Sequence, residues 1–386
     1  MKSTFLTNPF YAYIISFVVV IALYYLPYCE LYPPLSLNLV IFFLFSFFLY
    51  GFVGYKVRNR TSFVIIPQEN NYCLKIVVIL CAVLGDFAYC HSIPLYDLLR
   101  GNGGYKDFSG IPFFHVIILF FVNFYTIFLF HNYLIYKKKY ILFGYVILLL
   151  INILYVNRGA LILTILCSLI LFLKKHTKIN ISLLVKLGLG GIIFFLIFGW
   201  IGNLRGSHTR EDNSYILRIG GASQEYIDSN LPYELYWGYL YAISPLGNLQ
   251  NIINEKKSES EYSSFDCILD SFLPDFLSKR LKGLSTVDTK KYLVLEAINA
   301  PTMFYQVYYG LGWIGMFLML LYSLGIYFLF ARIVGCNSKY YLTGESVITS
   351  TFILSVFNNM WYYTSLSILL LIICISIINR VKIKTK

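Results

Sequence analysis

The sequence predicts an all-α fold: a polytopic transmembrane helical bundle of about ten spans, with a large extracytoplasmic loop carrying amphipathic helices. Composition is the first sign. Of 386 residues, 58% are hydrophobic and 13% charged, and the mean hydropathy is +0.68; soluble domains carry about a quarter charged residues. Length is the second. Apolar runs recur near the roughly 20 residues that a helix needs to cross a bilayer. Texture is the third. The runs are Leu, Ile and Phe blocks without the alternation of barrel strands of about ten residues, so helices are expected.

The runs lie at 10–28, 35–55, 73–92, 112–132, 140–156, 159–173, 183–201, 303–331, 345–358 and 361–379. They divide the chain into an N-terminal membrane bundle over 1–201, a polar segment over 202–302 and a C-terminal bundle over 303–386. With the N-terminus taken as cytoplasmic, segments on that side hold 16 basic residues, mostly lysines, among them Lys137, Lys138, Lys139, Lys174 and Lys175. The short loops opposite hold three, Arg100, Lys106 and Arg158. By the positive-inside rule both termini are then cytoplasmic and the long polar segment lies outside. No small-residue cleavage site follows the first run, which ends in Tyr24-Tyr25-Leu26-Pro27-Tyr28, so it reads as a retained span.

The net charge of +12 sits largely between spans, where orientation accounts for it, and no nucleic-acid partner is expected. The 35 Tyr and 33 Phe fit aromatic belts at the interfaces. Eight cysteines are scattered without a CxxC, which argues against a disulfide framework or a zinc site. Neither a phosphate-binding GxxxxGK[ST] loop nor a GxSxG elbow occurs, and no DxD stands in an outer loop near the N-terminus; no metal and no cofactor are expected.

Within the polar segment, 233–254 is aromatic and too wet to span, which suggests an interfacial or re-entrant helix interrupted at Pro245 and Gly247. Residues 255–264 read as an exposed turn. Phe265, Ile268, Leu269, Phe272, Leu273, Phe276 and Leu277 then share one face of an amphipathic helix kinked near Pro274. That face is expected to lie on the membrane or cap a cavity.

The candidates for chemistry gather on the outer side. Arg158, Arg205, Arg210 and Arg218 offer planar forks that grip phosphate oxygens at two points, the geometry of a pyrophosphate site. Arg158 stands in Asn157-Arg158-Gly159 between two apolar runs, where an arginine is costly unless it faces a cavity or partner. His208, flanked by Arg205 and Arg210, is a candidate general base, with Glu211, Asp212, Glu225 and Asp228 as competitors. Tyr236, Trp237 and Tyr241 offer faces on which sugars stack, beside their role as interfacial anchors. Asp86 and His91 lie in the third span or at its outer end, where a buried acid serves either a proton relay, the minority reading, or a pairing with one of the arginines.

The run of spans, the large loop in the C-terminal half, Arg158-Gly159 at a tight outer turn, Leu204-Arg205-Gly206 opening the loop and Tyr241-Ala242-Ile243-Ser244-Pro245-Leu246-Gly247-Asn248-Leu249 within it together resemble the O-antigen and capsular oligosaccharide repeat-unit polymerases, the Wzy family. The resemblance implies a metal-independent membrane glycosyltransferase that moves a growing glycan from undecaprenyl pyrophosphate onto the next lipid-linked repeat unit. Its partners would be the lipid-linked donor and acceptor, membrane lipids, a chain-length regulator and a flippase. Arg158 and Arg205 match the family's functional outer-loop arginines, and Arg210 and Arg218 follow more loosely. An O-antigen ligase shares the architecture. A lipid-linked oligosaccharide flippase is the alternative from another class, for which paired repeats and broken helices are the usual marks.

Overall fold

The computed structural model describes residues 3–58, 71–100, 108–176, 215–256, 263–281, 291–295 and 298–384, with a few positions between 182 and 196. Among the described residues every regular element is a helix, and an isolated antiparallel bridge joins Cys29 to Ala222. The N-terminal part comprises α1 (Ser3–Leu6), α2 (Pro9–Tyr24), α3 (Leu37–Val57), α4 (Tyr72–Cys90), α5 (Pro94–Leu99), α6 (Phe114–Tyr136), α7 (Lys139–Leu154) and α8 (Arg158–Lys175). Three helices follow in the polar segment, α9 (Tyr215–Ile219), α10 (Gln224–Asp228) and α11 (Tyr233–Glu255). Then come α12 (Ser264–Phe272), α13 (Asp275–Leu281), α14 (Tyr305–Val334), α15 (Tyr341–Leu354) and α16 (Ser365–Lys384).

Among the described residues four helices, α3, α4, α6 and α14, are long and apolar enough to cross a membrane. Three apolar stretches are shorter: α2, α7 and Ser365–Ile378 of α16. A 16-residue helix such as α2 is about 24 Å long, under the roughly 30 Å of hydrocarbon in a bilayer. Three expected spans are in neither group, and that at 159–173 falls on α8. The helix α15, expected at 345–358, has every residue from Tyr341 to Phe352 buried. It packs chiefly on α8 and α2. Its Ser346, Thr349 and Thr351 hydroxyls donate back to carbonyls of their own helix, at 2.6–2.8 Å, which leaves a smooth surface of small residues for close approach. The expected span 183–201 lies largely outside the described residues.

At 30 residues α14 would overshoot a bilayer. Gly312 breaks it, at φ 62° and ψ −145°, a conformation open essentially to glycine. The remainder to Val334 has the length of one crossing.

Aromatic rings fill the centre. Tyr13, Tyr50, Phe10, Phe352 and Tyr327 meet largely edge to face, with centroids 4.6–6.1 Å apart. Such pairs add about 0.5–1.5 kcal/mol each beyond burial. Polar cross-links match them: Tyr13 hydroxyl to Ser46 (3.1 Å), Tyr50 hydroxyl to the Leu320 carbonyl (3.2 Å), Asn8 Nδ2 to the Gly54 carbonyl (3.0 Å). Between apolar helices in lipid, such contacts and close packing take the place of the hydrophobic effect.

The bundle has two chemically different ends. Lys174 of α8 meets Glu345 of α15 at one end, where His131 of α6 reaches Thr343 and Tyr72 of α4 reaches Asn132. Lys137, Lys138 and Lys139 follow directly on α6. The opposite end collects Asp86 of α4, His115 of α6, Tyr155 after α7 and the start of α8. Lys174, expected on the membrane flank, has a side chain only 6% exposed.

The polar segment differs from expectation in two ways. Pro245 and Gly247 do not interrupt α11, which runs unbroken from Tyr233 to Glu255. Its residues from Ala242 to Gln250 are all buried, and neighbours α2, α9 and α14 hold it in place against the cost of an internal proline. The helix kinked near Pro274 resolves into α12 and α13, and the face α12 buries is Cys267, Leu269, Asp270 and Ser271. Phe265 and Ile268 point outward, Phe265 being 64% exposed.

Candidate functional site

Among the described residues, a polar cluster at the end opposite the lysines is built on Asp86. Its side chain is fully buried on the last turn of α4, and three donors converge on it. The Ile111 backbone N–H donates to Oδ1 at 2.7 Å. His115 Nδ1 lies 2.7 Å and the Tyr155 hydroxyl 2.8 Å from Oδ2. Local sequence explains why these groups meet. The chain leaves α4 through His91 in the left-handed conformation (φ 50°). It returns through Gly110, where φ is +64° and a Cβ would stand 2.5 Å from the His115 ring. Only glycine lets the backbone lie that close and still offer the Ile111 N–H. Asp86 is therefore paired with a histidine and a tyrosine rather than with the expected arginine.

A carboxylate that accepts from Nδ1 fixes the neutral imidazole as the Nδ1–H tautomer, which leaves the Nε2 lone pair as the proton acceptor. Phe108 and Tyr155 flank the ring, with centroids 5.6 and 5.3 Å away. His115 is 17% exposed, so the imidazole is oriented from behind and open in front. This is the arrangement of a base held by an acid.

Tyr155 connects the cluster to Arg158. It caps α7, and the turn continues through Val156 at φ 55°. The Asn157 side chain accepts from the Ala160 N–H at 3.1 Å and caps α8. Arg158 opens that helix, is exposed, and stands beside Gly159, where a Cβ would meet nothing within 4 Å. The tight hairpin tip expected around Asn157-Arg158-Gly159 is present, and it sets a cation and the positive end of an 18-residue helix next to Tyr155. The amphipathic segment approaches the same end of α6: Arg280 of α13 lies over the Phe113 ring at 4.2 Å, and Phe276 meets Phe120 at 5.4 Å.

The remaining sequence candidates are distributed as follows. Arg205, His208, Arg210, Glu211 and Asp212 lie outside the described residues. Arg218 is exposed on α9, which packs on α11. Tyr236 and Trp237 are buried in a second hydrophobic cluster with Ile216, Tyr226, Leu240, Ile243 and Ile298. The Tyr236 hydroxyl donates to the Gly220 carbonyl at 2.7 Å, and Tyr241 is half-buried against Trp237. In the Pro245-to-Leu249 motif, Gly247 lies against the Tyr32 ring. Asn248 accepts from the Val294 N–H at 3.0 Å and donates to the Ala300 carbonyl at 3.2 Å. These two hold the return of the chain toward α14.

His115 escaped the sequence reading because it stands among aromatic and aliphatic residues at the start of a span. The signal that reveals it is antiparallel order: the start of α6 must lie beside the end of α4, which carries an acid. No family model, no curated protein and no solved structure matches the chain.

Proposed function

We propose that this chain is a membrane-embedded glycosyltransferase of the repeat-unit polymerase kind, joining oligosaccharides carried on undecaprenyl pyrophosphate at the outer face of a bacterial inner membrane. The observation that carries the reading is the Asp86–His115 pair, a buried carboxylate 2.7 Å behind a partly open imidazole, at the end of the bundle where Arg158 opens α8. The count of basic residues supports reading that end as the one outside the cytoplasm.

The chemistry follows from these groups. His115 Nε2 takes the proton of an acceptor sugar hydroxyl, and Asp86 stabilises the imidazolium that forms. The hydroxyl oxygen bonds to the anomeric carbon of the donor glycan. The bond from that carbon to the pyrophosphate oxygen breaks, and the electron pair leaves with the phosphate. Arg158 and the first turn of α8 offset the charge that grows there, with Arg205, Arg210 and Arg218 as further cations from the polar segment. Positioned base catalysis of this kind contributes about 10²–10⁴-fold in rate. His115 takes precedence over His208, Glu211 and Asp212 as the base because its orientation is built into three helices.

Complementation of a deletion strain tests the reading. His115→Gln should leave glycan stalled at a single repeat unit, with protein present at wild-type level. A wild-type ladder from that variant contradicts the assignment, and accumulation of complete but unattached lipid-linked polymer would identify a ligase instead.

A further inference from the structure

The opposite end of the bundle holds a second constellation that sugar transfer does not use. Lys174 on the last turn of α8 and Glu345 on the second turn of α15 are in ion contact at 2.5 Å, with side chains 6% and 3% exposed. His131 of α6, fully buried, reaches Thr343 at 3.2 Å, and Lys174 lies near enough to act on its charge. Lys174 and Glu345 thus meet inside an apolar bundle, with His131 of a third helix buried nearby.

The groups around the carboxylate are identifiable element by element. Tyr341 stands one turn before Glu345, with Tyr327 of α14 beside it. Cys167 of α8 lies against Ser346 and Ser350. The hydroxyl of Tyr13 on α2 is taken by Ser46, farther along. The Ser365–Ile378 stretch of α16 contains no Asp, Glu, His, Lys or Arg. Among the described side chains Lys174 is the cation in direct contact with Glu345. The next residue, Lys175, donates to the Leu134 carbonyl and is partly open, and His176 after it is exposed. Solution therefore comes within one helical turn of the pair.

Folding alone gives no reason for this arrangement. A buried ion pair replaced by well-packed apolar residues is often neutral or more stable. Ionisable groups within membrane bundles are associated instead with ion and proton movement.

We propose that Glu345 is a proton-binding site in the core of the bundle, with Lys174 as its counter-charge. One proton from the lysine-rich side converts the carboxylate to the acid. The Lys174 ammonium keeps its own protons and loses its partner charge. The contact between α8 and α15 weakens, so the protonation state at this end is tied to how the two helices pack. The site stands whether or not the chain transfers sugar.

Infrared difference spectroscopy on the full-length protein in lipid nanodiscs, taken between high and low pH, reads the step directly. The wild type should gain a protonated-carboxyl band on acidification. Glu345→Gln should lack that band, and Lys174→Met should show it at a higher pH than the wild type. Where Glu345→Gln does not fold, the double variant Lys174→Met/Glu345→Met serves as the blank, since it leaves neither charge of the pair in the core. Identical difference spectra for the wild type and the blank overturn the proposal. So does a Glu345 band that is present at every pH or at none.

Discussion

Replacing Asp86 with asparagine separates the catalytic reading of the Asp86 cluster from a purely structural one. The carboxylate accepts from the Ile111 N–H, His115 Nδ1 and the Tyr155 hydroxyl, at 2.7, 2.7 and 2.8 Å. An amide of the same shape retains one accepting oxygen and places an NH₂ where the second oxygen stood. The Tyr155 oxygen can accept from that NH₂, and so can Nδ1 if the imidazole proton moves to Nε2. Local contacts then survive in altered sense. The stability cost is the loss of charge assistance, about 1.5–3 kcal/mol. At roughly 2–4 °C per kcal/mol for a large domain, thermal unfolding in detergent should fall by about 3–12 °C. Activity should fall much further. With its proton on Nε2, His115 has no lone pair to offer the acceptor hydroxyl, so the whole base contribution, about 10²–10⁴-fold, is lost. Initial rates of polymer formation and melting curves on the same preparation give both numbers. A variant that melts a few degrees lower and polymerises within about tenfold of wild type refutes the reasoning. Asp86→Ala, which strands three donors, should unfold far more readily than Asp86→Asn.

Other regions make their own predictions. Gly247→Ala puts a methyl group 2.1 Å from Cδ1 of Tyr32, so it should cost about 1–3 kcal/mol, read as a lower melting temperature. Asn248→Leu removes the partners of the Val294 N–H and the Ala300 carbonyl, at about 1–3 kcal/mol each, and hydrogen exchange at Val294 should quicken. Burial, and then the charge of Glu234, push the Tyr226 phenol up to about 12 from its ordinary 10.0. Its folded pKa is raised, so its contribution is complete below pH 10 and is lost as pH rises toward 12. Tyr226→Phe should flatten the alkaline fall in stability over that window.

Helix content and apolarity were legible in the runs themselves, because twenty apolar residues in lipid have few alternatives to a helix. The character of α15 was not. Its hydroxyls bond to carbonyls of their own helix, so a helix enclosed by others reads like a weak span. On α12 the burial of Asp270, expected on the polar face, was not legible either. Periodicity locates the apolar stripe, whose Phe265 and Ile268 stay exposed, but it does not show that Asp270 and Ser271 are buried on the other side. At the site, Arg158 and the lone acid Asp86 were visible as charges in costly places. Their relation was hidden because His115 lies 29 residues and Tyr155 69 residues from Asp86 in sequence. Lys174 illustrates the opposite error: a lysine at the end of a run looks like a flank charge until Glu345 is found against it.

The most direct test of the account uses purified protein in lipid with undecaprenyl-pyrophosphate-linked repeat units as both donor and acceptor. Wild-type protein should produce a ladder of lengthening glycans. His115→Gln should bind the lipid-linked substrate to a similar extent and form no glycosidic bond. A His115→Gln ladder growing at the wild-type rate would contradict the claim that the Asp86–His115 pair supplies the base.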